Sequence, residues 1–263
     1  MTDFLALHRP GEPLLMPNAW DLGSARILAE LGFAAVATTS SGYAATLGRR
    51  DGRVTREEAL GHAGAMAAAV GVPVSADLED GYAEDPAGVA RTVAEAVAVG
   101  LAGCSIEDHS GREDEPIRTP EAARERIEAA VEAAAGSGLV LTARAENYLH
   151  GRPDLGDTIA RLQSFQEAGA DVLYAPGIGS PADIATLCRE LDRPVNVLLV
   201  PGGPGPAELA EFGVARISVG GTFAWTALSA LVESARDLLA GGTGFFDRVQ
   251  PGRGLVDRAF GDQ

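Results

Sequence analysis

Aromatic residues make up only 5% of the chain, and there are just two cysteines. So few aromatics argue against an aromatic-rich binding module; Ala, Val, Leu and Gly dominate instead, which suits tightly packed helices and strands. Cys104 and Cys188 have neither metal-ligand nor redox spacing, and Cys104 lies in an apolar run where packing is the simpler role. This cysteine usage fits a reducing cytoplasm. No run of about 18 apolar residues occurs, so no membrane span is expected. The first residues carry an acid at Asp3 and no long apolar stretch, so they do not read as a secretory signal. Positive charge is in deficit, with 21 basic residues against 37 acidic and a net charge of −16. Such a field repels phosphate backbones and anionic bilayers, which excludes general nucleic-acid or membrane-surface binding. A small anionic substrate would need local positive charge, from a metal or a placed Arg.

What is present is a rhythm. Short β-rich runs alternate with longer Ala-rich stretches whose apolar residues recur every three or four positions. Eight strands are predicted, at Leu14–Pro17, Ala34–Thr39, Val72–Asp77, Gly103–Glu107, Leu139–Arg144, Val172–Ala175, Val195–Leu199 and Arg216–Val219. Helical patterns fall between most of them, at Arg56–Val70, Ala87–Val99, Pro120–Ala135, Leu155–Ala168, Ala182–Glu190, Ala207–Phe212 and Phe223–Leu239. Thr55 and Glu58 have capping-box spacing, and Gly71, Gly100, Gly169 and Gly213 follow helical runs. Strands alternating with helices pair in parallel through right-handed crossovers, and eight units suggest a closed (β/α)8 barrel of the TIM type, with an open doubly wound sheet as the alternative. The 263 residues match the roughly 250 that such a barrel needs. The expectation is one barrel domain over 1–263, with 241–263 a Gly-punctuated tail. That tail carries Phe245, Phe246 and Phe260, and reads either as a loosely packed cap or as a segment docking on a neighbouring subunit.

Active sites of such barrels lie at the C-terminal strand ends. Here those ends read Asn18-Ala19-Trp20-Asp21, Thr39-Ser40-Ser41-Gly42-Tyr43, Asp77-Leu78-Glu79-Asp80-Gly81, Glu107-Asp108-His109 and Arg144-Ala145-Glu146-Asn147, with Asn196 inside the seventh strand. Asp77, Glu79, Asp80, Glu107 and Asp108 would repel one another unless a cation neutralised them. Oxygen ligands without a Cys or His cluster favour Mg2+, or Mn2+, over Zn2+; acidic caps or solvated turns are the plainer alternative. Arg144 could grip a substrate carboxylate in bidentate fashion, or form an internal ion pair with Glu146 or a metal-site acid. Ser40, Ser41 and Gly42 offer hydroxyls and backbone N–H groups to an oxyanion. His109 could act as acid or base or be an exposed loop residue, while His8, His62 and His150 have no supporting context. Ser110–Thr119 is either a mobile lid or a static loop. Pro201-Gly202-Gly203-Pro204-Gly205 lacks the follow-up of a P-loop. Ser218–Thr222 could bind phosphate at a helix start or be glycine-rich for close packing.

In this order, the segments Met16–Asp21, Thr39–Gly52, Ala76–Tyr82, Ser105–His109, Leu141–Asn147, Asp171–Gly177, Pro194–Leu198 and Arg216–Gly221 resemble the isocitrate lyase/phosphoenolpyruvate mutase superfamily. The resemblance covers nearly the whole chain. It implies a (β/α)8 barrel, a homo-oligomer (dimer or tetramer) whose last helix packs on a partner subunit, Mg2+, and a small 2-oxo acid or its enolate. By position, Asp77 resembles the main Mg2+ ligand, with Glu79 and Glu107 as further metal-site acids and Asp51 reaching the metal's water shell. Ser40, Ser41 and Gly42 fall where the family binds substrate carboxylate and carbonyl, and Arg144 and Asn196 match further substrate contacts. The catalytic set implied is Asp51, Glu107 and Arg144. The departures matter too. The loop His109–Thr119 has no Cys or Lys, so the Cys-bearing lid of isocitrate and methylisocitrate lyases is missing, as are the lid Lys and Asn of phosphonopyruvate-forming mutases. Tyr174-Ala175-Pro176-Gly177 stands where those lyases place a Glu. What this implies is a Mg2+-dependent lyase acting beside the enolate of a small 2-oxo acid, such as a decarboxylase or substituted-malate lyase. P–C bond chemistry and a non-catalytic 2-oxo acid-binding barrel remain as alternatives.

Overall fold

The structure, a computed structural model, describes residues 3–261. Its strands are β1 (Leu14–Met16), β2 (Asn18–Ala19), β3 (Val36–Thr38), β4 (Val74–Asp77), β5 (Gly103–Glu107), β6 (Val140–Arg144), β7 (Val172–Tyr174), β8 (Val195–Leu198) and β9 (Arg216–Ser218). All pair in parallel, in the order β1-β9-β8-β7-β6-β5-β4-β3-β2. Only Pro17 separates β1, which pairs with β9, from β2, which pairs with β3, so the sheet closes into a TIM-type barrel. The eight expected strands thus become nine. Proline has no N–H to donate to a ladder and breaks the first strand, while its carbonyl still accepts from Ala37 N at 2.9 Å.

The helices are α1 (Leu22–Glu30), α2 (Ser40–Thr46), α3 (Arg56–Ala69), α4 (Pro86–Ala98), α5 (Pro120–Ala134), α6 (Leu155–Glu167), α7 (Pro181–Glu190), α8 (Pro206–Glu211), α9 (Thr222–Leu239) and α10 (Gln250–Ala259). Their starts are chemically marked. Asp21 and Ser24 form a capping box at α1, Thr55 and Glu58 another at α3, and proline opens α4, α5, α7 and α8. Of the expected helix-ending glycines, Gly100, Gly169 and Gly213 are left-handed and Gly71 is not. The main core lies between helices and sheet, with Met66, Val89, Ile127, Leu162, Phe165, Ile184 and Leu209 buried.

A second apolar layer fills the lower barrel, where Leu14, Met16, Val140 and Val172 surround Phe4, just ahead of the short 3-10 turn Leu5–Leu7. Phe4 is 4% exposed, and that burial stabilises by about 1.5–3 kcal/mol. It needs Gly103 opposite, where a Cβ would come within 2.8 Å of the phenyl ring.

Helix α9 behaves differently. Of its 18 residues only Ala224 is buried, while Trp225, Leu231, Val232, Leu238 and Leu239 are exposed. The tail carries elements of its own: after a 3-10 turn at Gly244–Arg248, α10 packs on α1, and Arg258 meets Glu30 at 3.0 Å. Among the described residues no helix is long and apolar enough to cross a membrane.

Candidate active site

Neighbouring strands set one row of side chains side by side: Glu107 beside Arg144, Arg144 beside Tyr174, Tyr174 beside Asn196 and Asn196 beside Arg216. Glu107 is the last residue of β5, whereas Arg216 is the first of β9. Strand stagger in a barrel makes such a row oblique, so this one descends from the rim to the floor.

At the rim, Asp77 is held from three sides. Its N–H donates to Thr38 Oγ1 (2.9 Å), its Oδ2 accepts from Ser40 N (3.2 Å), and its Oδ1 accepts from Arg144 Nη1 (2.8 Å). Ser40, Ser41 and Gly42, expected in a strand-end loop, form the first turn of α2, capped by Thr39. The first N–H groups of a helix lack partners within it, and the carboxylate of Asp77 meets one of them. Arg144 is heavily engaged. Besides Asp77 it meets Glu107 at 3.1 Å and Glu146 at 2.9 Å, and it lies 5.2 Å from the Tyr174 ring centre. The internal ion pairing considered for Arg144 is thus what the fold displays, with three carboxylates sharing one guanidinium.

The loop after β4 carries Glu79 and Tyr82 in left-handed conformations, at φ 48° and 53°. Each costs about 1–3 kcal/mol and persists only where the surroundings enforce it. Here Glu107 N donates to Glu79 O (3.0 Å), Thr92 Oγ1 to Gly81 O (2.7 Å), and buried Arg126 to the carbonyls of Asp80, Ala83 and Glu84. Asp80 pairs with Arg118 at 3.1 Å, and Asp108 with Arg161 at 3.2 Å. Those two acids therefore brace the loops rather than join the rim cluster.

That leaves Asp77, Glu107 and Glu146 sharing Arg144, with Glu79 beside Glu107 in the same recess and no cation within ion-pair distance of it among the described residues. Burial first, then Asp77 and Asp51, push Glu79 up to about 7. Glu107 is also raised by burial; Arg144 opposes this, while Glu146, Asp77 and Glu79 reinforce it. Surplus negative charge on hard oxygen donors suits Mg2+ or Mn2+. The three-carboxylate cage expected from Asp77, Glu79 and Glu107 is, however, not closed: among the described residues no three Asp, Glu, His or Cys side chains converge to hold an ion by themselves. Arg144 occupies the acids' inner side, and the Tyr82 hydroxyl donates to Glu79 at 3.1 Å. Such an open set still fits Mg2+, which keeps several waters and takes only one or two carboxylates.

Beside Asp77 opens a cavity of about 190 Å3. Ser40, Ser41, Asp77, Arg144 and Asn196 line it, as do Asn18, Tyr174, Arg216 and Ser218. Gly42 is not in the lining; its N–H donates to Thr39 Oγ1, and a Cβ there would lie 2.6 Å from Thr39 and 2.8 Å from Trp20. Asp51 borders both this cavity and an adjoining acidic recess of about 380 Å3 that holds Glu79, Glu107 and His109. The phosphate option at Ser218–Thr222 finds no support, because Val219 N and Gly220 N donate to Asn18 Oδ1 (3.1 and 2.9 Å). Close packing explains its glycines, since a Cβ on Gly221 would sit 2.4 Å from Ser41 Oγ. His109 stacks on His150 (centroids 4.1 Å apart) with Nδ1 3.7 Å from Glu107, and burial lowers its pKa. The loop that follows is tied to itself, with Ser110 N donating to Pro116 O and Arg118 N to Asp108 O.

Sequence reasoning passed over two residues at the floor. Arg216 donates to Asn196 Oδ1 (2.9 Å) and Thr142 Oγ1 (3.0 Å), and its Nη1 lies 3.1 Å from His8 Nε2. His8 Nδ1 is 3.0 Å from Phe4 O, which can only accept, so Nδ1 carries the proton and Nε2 accepts from Arg216. Burial, and then Arg216, lower His8 to about 4. One signal was available: Arg216 and Ser218 alternate with apolar residues, as inward positions of a barrel strand do. A second fact narrows the chemistry. The sequence contains no lysine, so every basic residue is Arg and no lysine amine can form a Schiff base or grip a phosphoryl group.

A closed parallel barrel with a small polar cavity at its C-terminal strand ends is the architecture of the barrel enzymes. Within that class the chain belongs to the phosphoenolpyruvate phosphomutase family, whose profile matches residues 4–239. It is similar to a crystal structure from Burkholderia cenocepacia J2315, provisionally named a lyase/mutase, with 48% identity over 99% of this chain and 95% of that one and a TM-score of 0.93. An uncharacterised protein of Mycobacterium tuberculosis is 37% identical over 89% of this chain and 87% of its own. A solved 2,3-dimethylmalate lyase, an enzyme also matched in sequence from Eubacterium barkeri, is 29% identical over 97% of this chain and 92% of its own, with a TM-score of 0.84. Members of this superfamily include both carbon–carbon lyases and phosphoenolpyruvate phosphomutase.

Proposed function

We propose that the protein is a Mg2+-dependent lyase that breaks or forms a C–C bond beside the enolate of a small 2-oxo acid. The observation that carries this reading is the surplus of carboxylates around Asp77, at the mouth of a cavity of about 190 Å3. Asp77 would hold the ion, with Glu79, Glu107 and Asp51 reached through water; Mn2+ suits the same donors. Bound there, the cation supplies positive charge against the developing enolate oxygen. Ser40 and Ser41 orient the substrate's carboxylate and carbonyl through their hydroxyls, Asn196 fixes the opposite wall, and Gly42 lets α2 approach closely enough to present both serines. Arg144 holds Asp77 and Glu107 in place and faces the substrate. When the C–C bond breaks, its electron pair passes into the enolate. Asp51, at the border of cavity and recess, relays the proton that the enolate carbon takes up.

Cleavage of a C–C bond is favoured over P–C chemistry by the absence of lysine and by the engagement of Val219 N and Gly220 N with Asn18. The test is a screen of 2-oxo acids, malates and phosphonopyruvate with Mg2+, following pyruvate release. Turnover of a 2-oxo diacid or malate is expected, and Asp77→Ala should reduce it about 1,000-fold, equivalent to ~4 kcal/mol, without unfolding the barrel. Turnover of phosphonopyruvate alone would replace the C–C reading. Binding of neither Mg2+ nor oxalate in calorimetry would remove the main support for the enzyme reading.

The protein is further read as a homo-oligomer assembled through α9, whose apolar side chains stand exposed beside a groove formed by Trp20, Ile27, Phe223 and Phe260. Sedimentation should give a dimer or tetramer that Leu231→Glu dissociates, and a monomeric wild type would sink this assignment.

A further inference from the structure

Two cations line the cavity, and their circumstances are opposite. Arg144 is shared by Asp77, Glu107 and Glu146. Arg216 is 3% exposed and meets only neutral acceptors, namely Asn196 Oδ1, Thr142 Oγ1 and His8 Nε2. No carboxylate among the described residues lies within ion-pair distance of it. A buried charge without a counter-ion is expensive, and an arginine does not escape that cost by losing its proton at neutral pH. Burial brings it down only to about 10. The chain carries 37 acidic residues, yet none of the described ones is spent on this cation.

Its place in the cavity gives that charge a use. Arg216 lies two residues before Ser218 on β9, roughly 6–7 Å deeper in the barrel at about 3.3 Å per residue. Asn196 bridges the two, with Nδ2 donating to Ser218 Oγ (3.0 Å) while Oδ1 accepts from Arg216 Nε. The three contacts of the guanidinium use three of the five N–H groups such a group carries. A ligand whose carbonyl end sits at Asp77 and Ser40 therefore points its other end at an uncompensated positive charge.

We propose that Arg216 is a specificity-determining residue that receives the second carboxylate of a diacid, so that the cavity selects dianionic over monoanionic 2-oxo or 2-hydroxy acids. This rests on the reading of the rim as the site for the 2-oxo end and adds the polarity of the floor. Direct contact with the substrate's distal carboxylate is its role; the link to His8 only holds the guanidinium level.

The test uses lactate and malate, which differ by one carboxylate, titrated calorimetrically into the full chain with Mg2+ present. Wild type should bind malate about tenfold to a hundredfold more tightly, the size of a charge-assisted hydrogen bond in a buried site. Arg216→Met should erase that preference while lactate affinity stays within about twofold, because only the second carboxylate meets the lost charge. Arg216→Lys should keep part of it. Equal affinity for both acids in the wild type overturns the proposal. So does an equal loss for both acids in a folded Arg216→Met, which would mean that Arg216 merely pins the segment below. Binding of neither acid by the wild type strikes the proposed function itself. If Arg216→Met fails to fold, the wild-type ratio and Arg216→Lys decide.

Discussion

The rim and the floor of this barrel handle charge in opposite ways. At the ends of β4, β5 and β6 three carboxylates share one arginine; at the start of β9 one arginine stands among neutral partners. The rim is short of positive charge and the floor of negative charge, and the cavity joins them. The proposed pairing of a dianionic acid with a divalent cation would complete both. The chain's strongly acidic character is thus no obstacle to an anionic substrate, because two arginines line the cavity and the acids at its mouth suit a metal.

Removing each arginine tests the contrast most severely. Arg144→Met leaves the rim carboxylates facing one another and should destabilise the protein by about 3–5 kcal/mol at pH 7 in denaturant unfolding. The loss should shrink at pH 5, where the raised Glu79 and Glu107 take up protons. Arg216→Met should lose stability by an amount that changes less between those pH values, since Asn196 and Thr142 do not titrate and burial, the larger cause, still holds His8 down once the charge is gone. Equal pH dependence in both variants would erase the distinction.

A smaller effect sharpens the picture of the rim alone. Glu79 is raised from an ordinary 4.5 to about 7, so the folded protein holds this proton more tightly than the unfolded chain. Its contribution to stability is therefore fully present below about pH 4.5 and lost as pH rises through 7. Glu79→Gln should flatten that decline in a melting-temperature series, and Mg2+ should move it to lower pH. An unchanged decline in the variant would show that Glu79 is not its source.

Much of this was legible in the sequence. Strand and helix periodicities gave the barrel, and the strand ends named Asp77, Glu107, Arg144 and Asn196. What escaped was non-local. Pro17 breaks its strand because a ladder needs an N–H, yet a three-residue β1 still reads as part of one run. Ser40–Gly42 look like a loop, because a helix of seven residues is too short to show its period. The saturation of Arg144 depends on acids contributed by three other positions. Arg216 has partners at residues 8, 142 and 196, far apart in sequence, so no local pattern announces it. The left-handed backbone of Glu79 is equally invisible, being imposed by Arg126 and Glu107 rather than by its own preference.

The contact between His8 and Arg216 joins residues 208 positions apart, and β1 must pair with β9 to make it. Closing so long a loop is entropically unfavourable until distant contacts repay it, which places this step late in folding. During synthesis, the acids of the rim, at positions 77 to 146, are made well before Arg216. Ligand affinity consequently reports on completion of the ring: a diacid that spans rim and base would favour chains whose two ends have already met.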